Sequence, residues 1–312
     1  MGKSENKQIF NRILITGASG MLGKAFQDVY DLKYPDSTIK PLSREVLNVT
    51  NHEDVMSYVQ FDPDLIIHTA AKVDANFCEN NYENAKDIIV NGTQNIVELA
   101  RACNAKILYP QSFLIFDGEK NPINEETTPN PLSNYGALKF EAEKIVIDSD
   151  VDSLIVRMGG FFGGYKKDKN FVGKIIPFIL AQVKDEVTEI EVGDRVWQPT
   201  YTFDLALNCM ILLENKKSGL FNMASLNSAS FYELTVKIVE YLGIESLISI
   251  KEVKSEQFDN KEEAKRPHEA ILSNDKLEHM EMNFQRNWED SLREYLDDAY
   301  YKDMFDNIGL DK

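Results

Sequence analysis

A tyrosine and a lysine four positions apart, Tyr135 and Lys139, are the side chains of this sequence best suited to acid–base chemistry. Residues with this spacing share one face of a helix. An ammonium group beside a phenol stabilises the phenolate, so the pair predicts a lowered pKa for Tyr135 and proton transfer near neutral pH. Ser112, earlier in the chain, is predicted to hydrogen-bond a substrate carbonyl beside the phenol. Together the three side chains predict chemistry at a carbonyl group.

The position of this pair in the chain distinguishes it from two others. The same spacing recurs as Tyr82 with Lys86 and as Tyr165 with Lys169. The first of these lies on a helix whose apolar stripe is expected to cover a sheet, and the second lies in a loop rich in glycine and lysine. Only Tyr135 begins a predicted helix after a strand that ends in a hydroxyl, Ser112. We therefore predict that Ser112, Tyr135 and Lys139 are the catalytic residues.

A glycine-rich turn near the amino terminus predicts a nucleotide site. The apolar residues 13–15 are followed by three glycines at three-residue spacing and then by a helical pattern over 24–30. In this strand–turn–helix order the glycines permit a tight turn, the approach of backbone N–H groups to a pyrophosphate, and close packing of the helix on the strand. Cofactor contacts are predicted at Gly17, Ser19, Gly20, Met21, Leu22 and Gly23.

The tip of the second predicted strand, residues 39–42, indicates which dinucleotide is bound. NAD-specific sites place an acidic residue about twenty residues after the glycines, where it binds the ribose 2′-hydroxyl. Here the tip carries Ser43 and Arg44, which suit a 2′-phosphate, although Glu45 is adjacent and can point inward. The sequence therefore favours NADP(H), with NAD(H) as the alternative.

Short apolar runs alternate with helical patterns along the chain, which predicts an α/β fold with a Rossmann-type, doubly wound parallel sheet. Further strands are expected over 64–68, 106–109 and 152–158, and helices over 82–103, from near Tyr135 and from Glu289 to the carboxyl terminus. The third strand is followed by Ala70 and Ala71, small residues against which a cofactor can lie. We assign residues 1–158 to the NADP(H)-binding domain, with 201–243 returning to it as helix, strand and helix, and 159–200 and 244–312 to a smaller α/β substrate domain.

Composition limits the partners. The 34 basic and 51 acidic residues give a net charge of −17, which argues against nucleic acid or an acidic membrane surface as a partner. The cationic residues Lys166, Lys167 and Lys169 are a local exception, which we interpret as a solvated loop. The three cysteines and four histidines show no metal-ligand spacing, so no metal site is predicted. With no apolar leader or membrane-spanning run in the sequence, we expect a cytoplasmic protein.

Several segments resemble the extended short-chain dehydrogenases/reductases, and within them the dTDP-4-dehydrorhamnose reductase family. The matching segments are TGASGMLG (16–23), SREVLNVTN (43–51), HTAAKVD (68–74), QSFLIFDG (111–118), PNPLSNYGALKFEAE (129–143), KNFVGKI (169–175), QPTYTFDLA (198–206), GLFNMAS (219–225) and KRPHEAILSNDKL (265–277). The resemblance implies a Rossmann domain with a smaller sugar-nucleotide domain, and reduction of the C4 ketone of a 4-keto-6-deoxy sugar nucleotide.

The resemblance also implies a role for each predicted site residue. Tyr135 would protonate the forming alkoxide, Lys139 would hold the nicotinamide ribose, and Ser112 would orient the carbonyl oxygen. Additional cofactor contacts are implied at Asn48, Val49, Ala70, Ala71 and Lys72, and substrate contacts at Val73, Gln111, Phe113 and Asn170. Candidate cations for the nucleotide diphosphate are Lys174, Arg195 and Arg266, with surface ion pairing as the alternative. Homodimers are common in that superfamily.

The sequence departs from the family on the substrate side. Where the family usually reads Ser-Thr-Asp-Tyr-Val-Phe, this chain has QSFLIF at 111–116, and Gly160 stands where an aromatic residue commonly follows the fifth strand. Asn48 likewise replaces a more usual aspartate near the adenine. These differences concern the identity of the sugar and leave the residues for hydride chemistry in place.

Two other functions stay open at this level. One is a non-catalytic, NADP-binding regulatory subunit like that of methionine adenosyltransferase, which resembles the same family. The other is a bifunctional epimerase/reductase, which needs a further acid–base pair beside the ketone. Cys78 is the candidate partner, against the alternative of an ordinary half-buried cysteine at a helix start.

Overall fold

Short strands and helices alternate in the computed structural model of the protein, which describes residues 10–259 and 262–306. The strands are β1 (Arg12–Thr16), β2 (Thr38–Leu42), β3 (Leu65–His68), β4 (Lys106–Ser112), β5 (Ser153–Met158), β6 (Phe161–Phe162), β7 (Glu189–Gly193), β8 (Val196–Trp197), β9 (Thr200–Tyr201), β10 (Gly219–Met223), β11 (Ala229–Ser230) and β12 (Ser249–Val253). The helices are α1 (Met21–Lys33), α2 (His52–Met56), α3 (Ala75–Asn80), α4 (Tyr82–Lys86), α5 (Gly92–Cys103), α6 (Asn134–Ile147), α7 (Phe171–Lys184), α8 (Thr202–Glu214), α9 (Phe231–Leu242), α10 (Glu256–Asp259), α11 (Asp275–His279), α12 (Trp288–Leu296) and α13 (Ala299–Asp306).

Six parallel strands form the central sheet, in the order β10-β5-β4-β3-β1-β2. The chain leaves β1 toward one edge to form β2 and then crosses to the other side of β1 to form β3. The strand order therefore reverses between β1 and β3. In open parallel sheets, ligands bind at the carboxyl ends of the strands on either side of such a reversal. The glycine turn after β1 and the Ala70 segment after β3 meet there.

Alternate residues of the buried strands face opposite helix layers, as a doubly wound sheet requires. On β1, Ile13 and Ile15 pack with the apolar faces of α1 and α8, while Leu14 packs with α5 and α6 on the other face. The three side chains are fully buried. This arrangement confirms the predicted fold class and fixes α6, which carries the tyrosine–lysine pair, against one face of the sheet.

A separate hydrophobic cluster lies outside the two sheet faces. It is formed by α7, α9 and α12 with strand β7, and it includes the large buried side chains of Phe162, Trp197 and Tyr295. Strand β7 pairs in parallel with β12. Within 201–243, helix α8 and strand β10 pack with the central sheet, whereas α9 packs in this second cluster. We keep the two-domain division as a proposal, and the clusters favour placing α9 in the substrate domain.

Two predicted helices differ in the structure. The helix expected over 82–103 is interrupted by a π-helical turn at Asp87–Asn91, so that α4 and α5 are out of phase. The helix expected from Glu289 onward is two helices, because α12 ends at Leu296 and the Asp298 carboxylate accepts from the backbone N–H of Tyr300 at 2.8 Å near the start of α13. The end of the second predicted helix, residues 307–312, lies outside the described residues, and so does the start of the predicted cofactor domain, residues 1–9.

Within the described ranges, no helix combines the length and apolar character needed to cross a membrane. The same part of the chain contains no group of three or more His, Cys, Asp and Glu side chains arranged to hold a metal ion. The lysines at 166, 167 and 169 are exposed.

Candidate active site

The turn after β1 forms a cradle for an anion. Gly17 has φ +64°, and a Cβ atom there would lie 2.7 Å from the backbone nitrogen of Ala70, so a side chain would prevent the two strand ends from meeting. Gly20 is the N-cap of α1 and provides no capping side chain. The first N–H groups of a 13-residue helix therefore point at the crevice, where its dipole favours negative charge. The turn residues predicted to contact a cofactor are all at this helix start: Gly17, Ser19, Gly20, Met21, Leu22 and Gly23.

The tip of β2 presents a cation and a hydroxyl next to this cradle. Arg44 is exposed, and Glu45 is exposed too, where its carboxylate is hydrogen-bonded to Ser43. That hydrogen bond lowers the pKa of Glu45. Asn48 forms a local turn, its Oδ1 atom accepting from the N–H of Thr50 at 3.2 Å. Since Glu45 does not point inward, the tip fits a 2′-phosphate better than a bare ribose.

Helix α6 begins close against the end of β4, which places Tyr135 beside Ser112. The Ser133 hydroxyl caps the helix by accepting from the N–H of Gly136 at 3.3 Å. A Cβ atom at position 136 would lie 2.2 Å from the carbonyl oxygen of Leu114, so the close approach requires glycine here. Tyr135 is buried and hydrogen-bonded to Ser112. The structure thus brings the two predicted oxygen groups together.

The predicted lowering of the Tyr135 pKa is wrong. Burial raises the pKa of Tyr135 to about 12, and the hydrogen bond with Ser112 offsets this only in part. The nearby ammonium group does not reverse the shift because Lys139 is bonded elsewhere. A high pKa keeps the phenol protonated at neutral pH, which is the form that a proton donor needs.

Lys139 is buried and held by two oxygen atoms of β4. Its Nζ atom donates to the hydroxyl of Tyr109 at 3.0 Å and to the carbonyl of Pro110 at 3.1 Å. Burial lowers the pKa of Lys139 to about 7, and the charge of Glu143 acts in the opposite direction. The described residues thereby use two of the three N–H bonds of the ammonium group, and the third is available to a ligand.

The residues around Ser112, which differ from the usual sequence of the family, form one wall of the site. Gln111 links the end of β4 to α6, because its Nε2 atom donates to the carbonyl of Lys139 at 2.9 Å while its Oε1 atom accepts from the N–H of Ser112 at 2.7 Å. A Cβ atom at Gly160 would lie 2.2 Å from the Trp197 ring and 3.4 Å from the Phe113 ring. The room that a side chain at 160 would take is therefore filled by Trp197.

The segment after β3 contributes backbone and small side chains. Lys72 stacks its ammonium group on the Phe77 ring, 3.9 Å from the centroid, and Val73 is 65% exposed. Cys78 is buried and donates from its thiol to the carbonyl of Lys72 at 3.7 Å. Burial raises the pKa of Cys78 to about 11, so this thiol is a poor base at neutral pH. The geometry favours the structural interpretation of Cys78.

The predicted diphosphate cations divide into two groups. Arg195 and Arg266 converge on the carboxylate of Glu262, at 3.1 Å and 2.7 Å. Lys174 is exposed on α7. Asn170 precedes that helix and donates from Nδ2 to the carbonyl of Phe161 at 2.7 Å. The two arginines are thus close to each other, and their assignment to a diphosphate stays a prediction.

Some buried polar groups beside the site were not predicted. Arg157 on β5 forms a two-pronged ion pair with Glu143, with distances of 2.6 Å and 3.1 Å. A signal for Glu143 was present in the sequence, since it lies four residues after Lys139 on the same helix face. His68 and Tyr109 lie on β3 and β4. No local pattern marks these two, because they approach Lys139 from different strands.

The match to a known family covers most of the chain. A model of the RmlD substrate binding domain matches residues 11–301. The chain belongs to this family, that of the dTDP-4-dehydrorhamnose reductases among the extended short-chain dehydrogenases/reductases. The crystal structure of the dTDP-4-dehydrorhamnose reductase from Bacillus anthracis str. Ames, in complex with NADP, is 28% identical. It covers 92% of this chain and 98% of its own, with a TM-score of 0.82.

Two curated relatives show the range of roles within the RmlD-like proteins. The spore coat polysaccharide biosynthesis protein SpsK of Bacillus subtilis (strain 168) is 28% identical over 91% of this chain and 96% of its own length. The beta subunit of methionine adenosyltransferase 2 from Bos taurus is 27% identical, but over 75% of this chain and 73% of its own. A polysaccharide biosynthesis protein and a subunit of methionine adenosyltransferase 2 are therefore both similar to this chain.

Proposed function

We propose that the protein reduces the C4 ketone of a 4-keto-6-deoxy sugar nucleotide, as a step in deoxysugar and polysaccharide biosynthesis. The observation that carries this proposal is the placement of Ser112, Tyr135 and Lys139 at the carboxyl end of β4, next to the glycine turn, in a member of a family of NAD(P)H-dependent reductases. The substrate class, a sugar nucleotide, is inferred from the similarity to dTDP-4-dehydrorhamnose reductase and to the polysaccharide biosynthesis protein SpsK.

Each of the three side chains has a defined task in this proposal. NADPH, when bound, supplies the hydride. The Ser112 hydroxyl orients the carbonyl oxygen, and the Tyr135 phenol gives its proton to that oxygen as negative charge develops on it. Lys139 uses its remaining N–H to hold the cofactor ribose and places a positive charge beside the phenolate that forms. Because Tyr135 and Lys139 are buried, their hydrogen bonds are stronger than they would be in water.

The cofactor assignment rests on the fit of the cradle. The residues at the start of α1 hold a pyrophosphate by backbone N–H groups, and Arg44, beside Ser43 at the tip of β2, holds the 2′-phosphate of NADP(H). NAD(H) is the alternative, since other relatives of this fold carry it. The remaining contacts that we propose for the cofactor are at Asn48, Val49, Ala70, Ala71 and Lys72. For the sugar nucleotide they are at Val73, Gln111, Phe113, Asn170, Lys174, Arg195 and Arg266.

A parallel assay tests the proposed reaction. The purified protein and NADPH are mixed separately with dTDP-, UDP-, GDP- and CDP-linked 4-keto-6-deoxy sugars, and loss of reduced nicotinamide is followed by absorbance. Turnover with one nucleotide identifies the substrate, and proton NMR of the product shows whether the C4 ketone alone has changed. Epimerisation at a neighbouring carbon would favour the bifunctional enzyme instead.

The regulatory-subunit function would give a different result in the same assay. Such a protein binds NADPH tightly but oxidises it with none of the four sugars. The retained site residues and the shorter match to the methionine adenosyltransferase subunit make this the weaker candidate. A homodimer, which we also infer from the superfamily, is tested by sedimentation equilibrium with and without NADPH.

Replacing Arg44 with alanine is expected to weaken NADPH binding about tenfold or more and to leave NADH binding unchanged. The reason is that the guanidinium group would lose a charge-assisted hydrogen bond to the 2′-phosphate, which NADH lacks. Fluorescence titration with the two nucleotides measures the ratio of dissociation constants. Lys24→Ala is the control, since Lys24 is half exposed on α1 and paired with Asp28 at 2.7 Å. Equal losses for both nucleotides would contradict the assignment.

A further inference from the structure

A chain of buried polar side chains runs from the glycine turn to Lys139 and consists of Thr16, His68, Thr93 and Tyr109. All four are at most 3% exposed. They come from β1, β3, the start of α5 and β4, so the chain crosses the sheet beneath the proposed cofactor crevice. The reaction described above uses none of these groups directly.

The hydrogen atoms in this chain can be assigned from its acceptors. Thr93 Oγ1 must donate to the carbonyl of Ile89, at 2.6 Å, because a carbonyl has no proton to give. Since that proton is already given, Thr93 Oγ1 can only accept from His68 Nε2, 3.3 Å away, so the neutral imidazole carries its proton on Nε2. His68 Nδ1 then accepts from the Thr16 hydroxyl at 2.7 Å, and Thr16 Oγ1 also accepts from the N–H of Ala70 at 3.3 Å.

The Tyr109 hydroxyl lies at the Lys139 end of this chain. Its oxygen is 3.0 Å from Lys139 Nζ, and its ring lies beside the His68 ring, with 5.9 Å between the two centroids. Burial lowers the pKa of His68 to about 3, with the Lys139 charge as a second cause, and the imidazole stays neutral. With Lys139 in the ammonium form, the Tyr109 oxygen must be the acceptor, because an ammonium nitrogen has no lone pair.

The π-helical turn explains how Thr93 reaches this position. Ile89, the acceptor of the Thr93 hydroxyl, lies in the π turn at Asp87–Asn91, and Thr93 is in the first turn of α5 after it. One extra residue in a helical turn rotates the residues that follow by about a quarter of a turn relative to a regular helix. Such turns are frequent at functional sites.

We propose that Tyr109 is a positioning residue for Lys139, and that its hydroxyl, placed beside the neutral His68, keeps the lysine in the ammonium form beside Tyr135. Its role in turnover rests on the proposed reductase function. The other groups that bear on Lys139 are Glu143 on the same helix, the neutral His68, and Tyr135, with Cys78 close to the latter. Glu143 is hydrogen-bonded to Arg157 at 2.6 Å and acts on Lys139 through its charge. Tyr109 and the carbonyl of Pro110 are thus the direct acceptors for the buried charge.

The first test measures the protonation of Lys139 without any turnover. Lysine labelled with carbon-13 at Cε is incorporated, the Lys139 signal is assigned by its absence in Lys139→Arg, and its NMR shift is followed with pH. The wild-type midpoint is expected near the pKa of about 7 that burial gives. Tyr109→Phe removes an acceptor of a charged hydrogen bond, so the midpoint is expected to fall by about one unit or more.

Matched variants separate positioning from a general loss of packing. Tyr30→Phe removes another buried tyrosine hydroxyl, one with no hydrogen-bond partner among the described residues, on the opposite face of the sheet. It is expected to leave the Lys139 midpoint unchanged. Thr93→Val is expected to lower the midpoint as Tyr109→Phe does, because the Nε2 proton of His68 then loses its acceptor and competes with Lys139 for the Tyr109 oxygen. Thr93→Ser restores the hydroxyl and the wild-type midpoint. If Tyr109→Phe does not fold, the proposal is tested by the Lys139 midpoints of the two Thr93 variants.

The second test follows the rate. In the wild type, kcat is expected to fall as pH rises through the Lys139 midpoint, and in Tyr109→Phe this basic limb moves to lower pH by a similar amount. A midpoint within a few tenths of a unit of the wild type in Tyr109→Phe, or an equal shift in Tyr30→Phe, overturns the proposal. An NMR shift as expected without turnover on any sugar nucleotide supports the positioning role and refutes the reductase function instead.

Discussion

Replacing Tyr135 with phenylalanine is expected to lower kcat by about 10²–10⁴-fold while the affinity for NADPH changes little. The variant removes only the proton donor. The ring stays in its buried place at the start of α6, and the glycine turn and Arg44, which bind the nucleotide in our proposal, lie on other elements. Measurement of kcat with the substrate identified in the sugar panel, together with NADPH titration, checks both halves of the expectation.

The control for this variant is another tyrosine with the same spacing to a lysine. Tyr82 precedes Lys86 by four residues and is 38% exposed on α4, away from Ser112. Tyr82→Phe is expected to leave kcat unchanged. Full turnover in Tyr135→Phe would mean that another group protonates the alkoxide, and Ser112 would be the first to test. A large loss of NADPH affinity would mean that Tyr135 binds the cofactor more than it transfers a proton.

Replacing Arg157 with methionine is expected to lower the free energy of unfolding by about 3–5 kcal/mol. Glu143 is fully buried and Arg157 is 3% exposed, so the substitution leaves an unpaired carboxylate inside the protein. The pair joins α6 to β5, and Arg157 also donates to the carbonyl of Glu125 at 3.2 Å. Urea unfolding followed by circular dichroism gives the difference in free energy.

Two further variants identify the source of that loss. In the double variant Glu143→Met with Arg157→Met, neither charge of the pair is left, and a large part of the lost stability is expected to return. Arg101→Met breaks an ion pair with Asp150 in which both side chains are about half exposed or more, and it is expected to have a far smaller effect. If Arg157→Met is no more harmful than Arg101→Met, the buried pair contributes little to stability.

Local chemistry was predictable from the sequence wherever one segment carries it. The glycine turn, the strand β1 and the start of α1 are consecutive in the chain, so composition and spacing sufficed to locate them. Tyr135 and Lys139 lie on one helix face for the same reason. The alternation of apolar runs with helical patterns predicted the doubly wound sheet, because burial on both faces requires it.

Features that depend on packing between distant segments could not be predicted from the sequence. The sign of the Tyr135 pKa shift depends on how deeply the helix start is buried, and the lysine that was expected to lower it is bonded to Tyr109, 30 residues earlier in the chain. The π turn that places Thr93 also escaped the pattern of apolar residues, since one inserted residue changes the helix phase without changing composition.

The sequence by itself determined the class of fold, the glycine turn and the tyrosine that we propose as proton donor, because each depends on residues close together in the chain. The tertiary structure alone decided the protonation of those residues. Free energies of charging depend on burial and on partners from other strands, such as Tyr109 beside Lys139 and Arg157 beside Glu143. Those partners meet only when the parallel strands are in register.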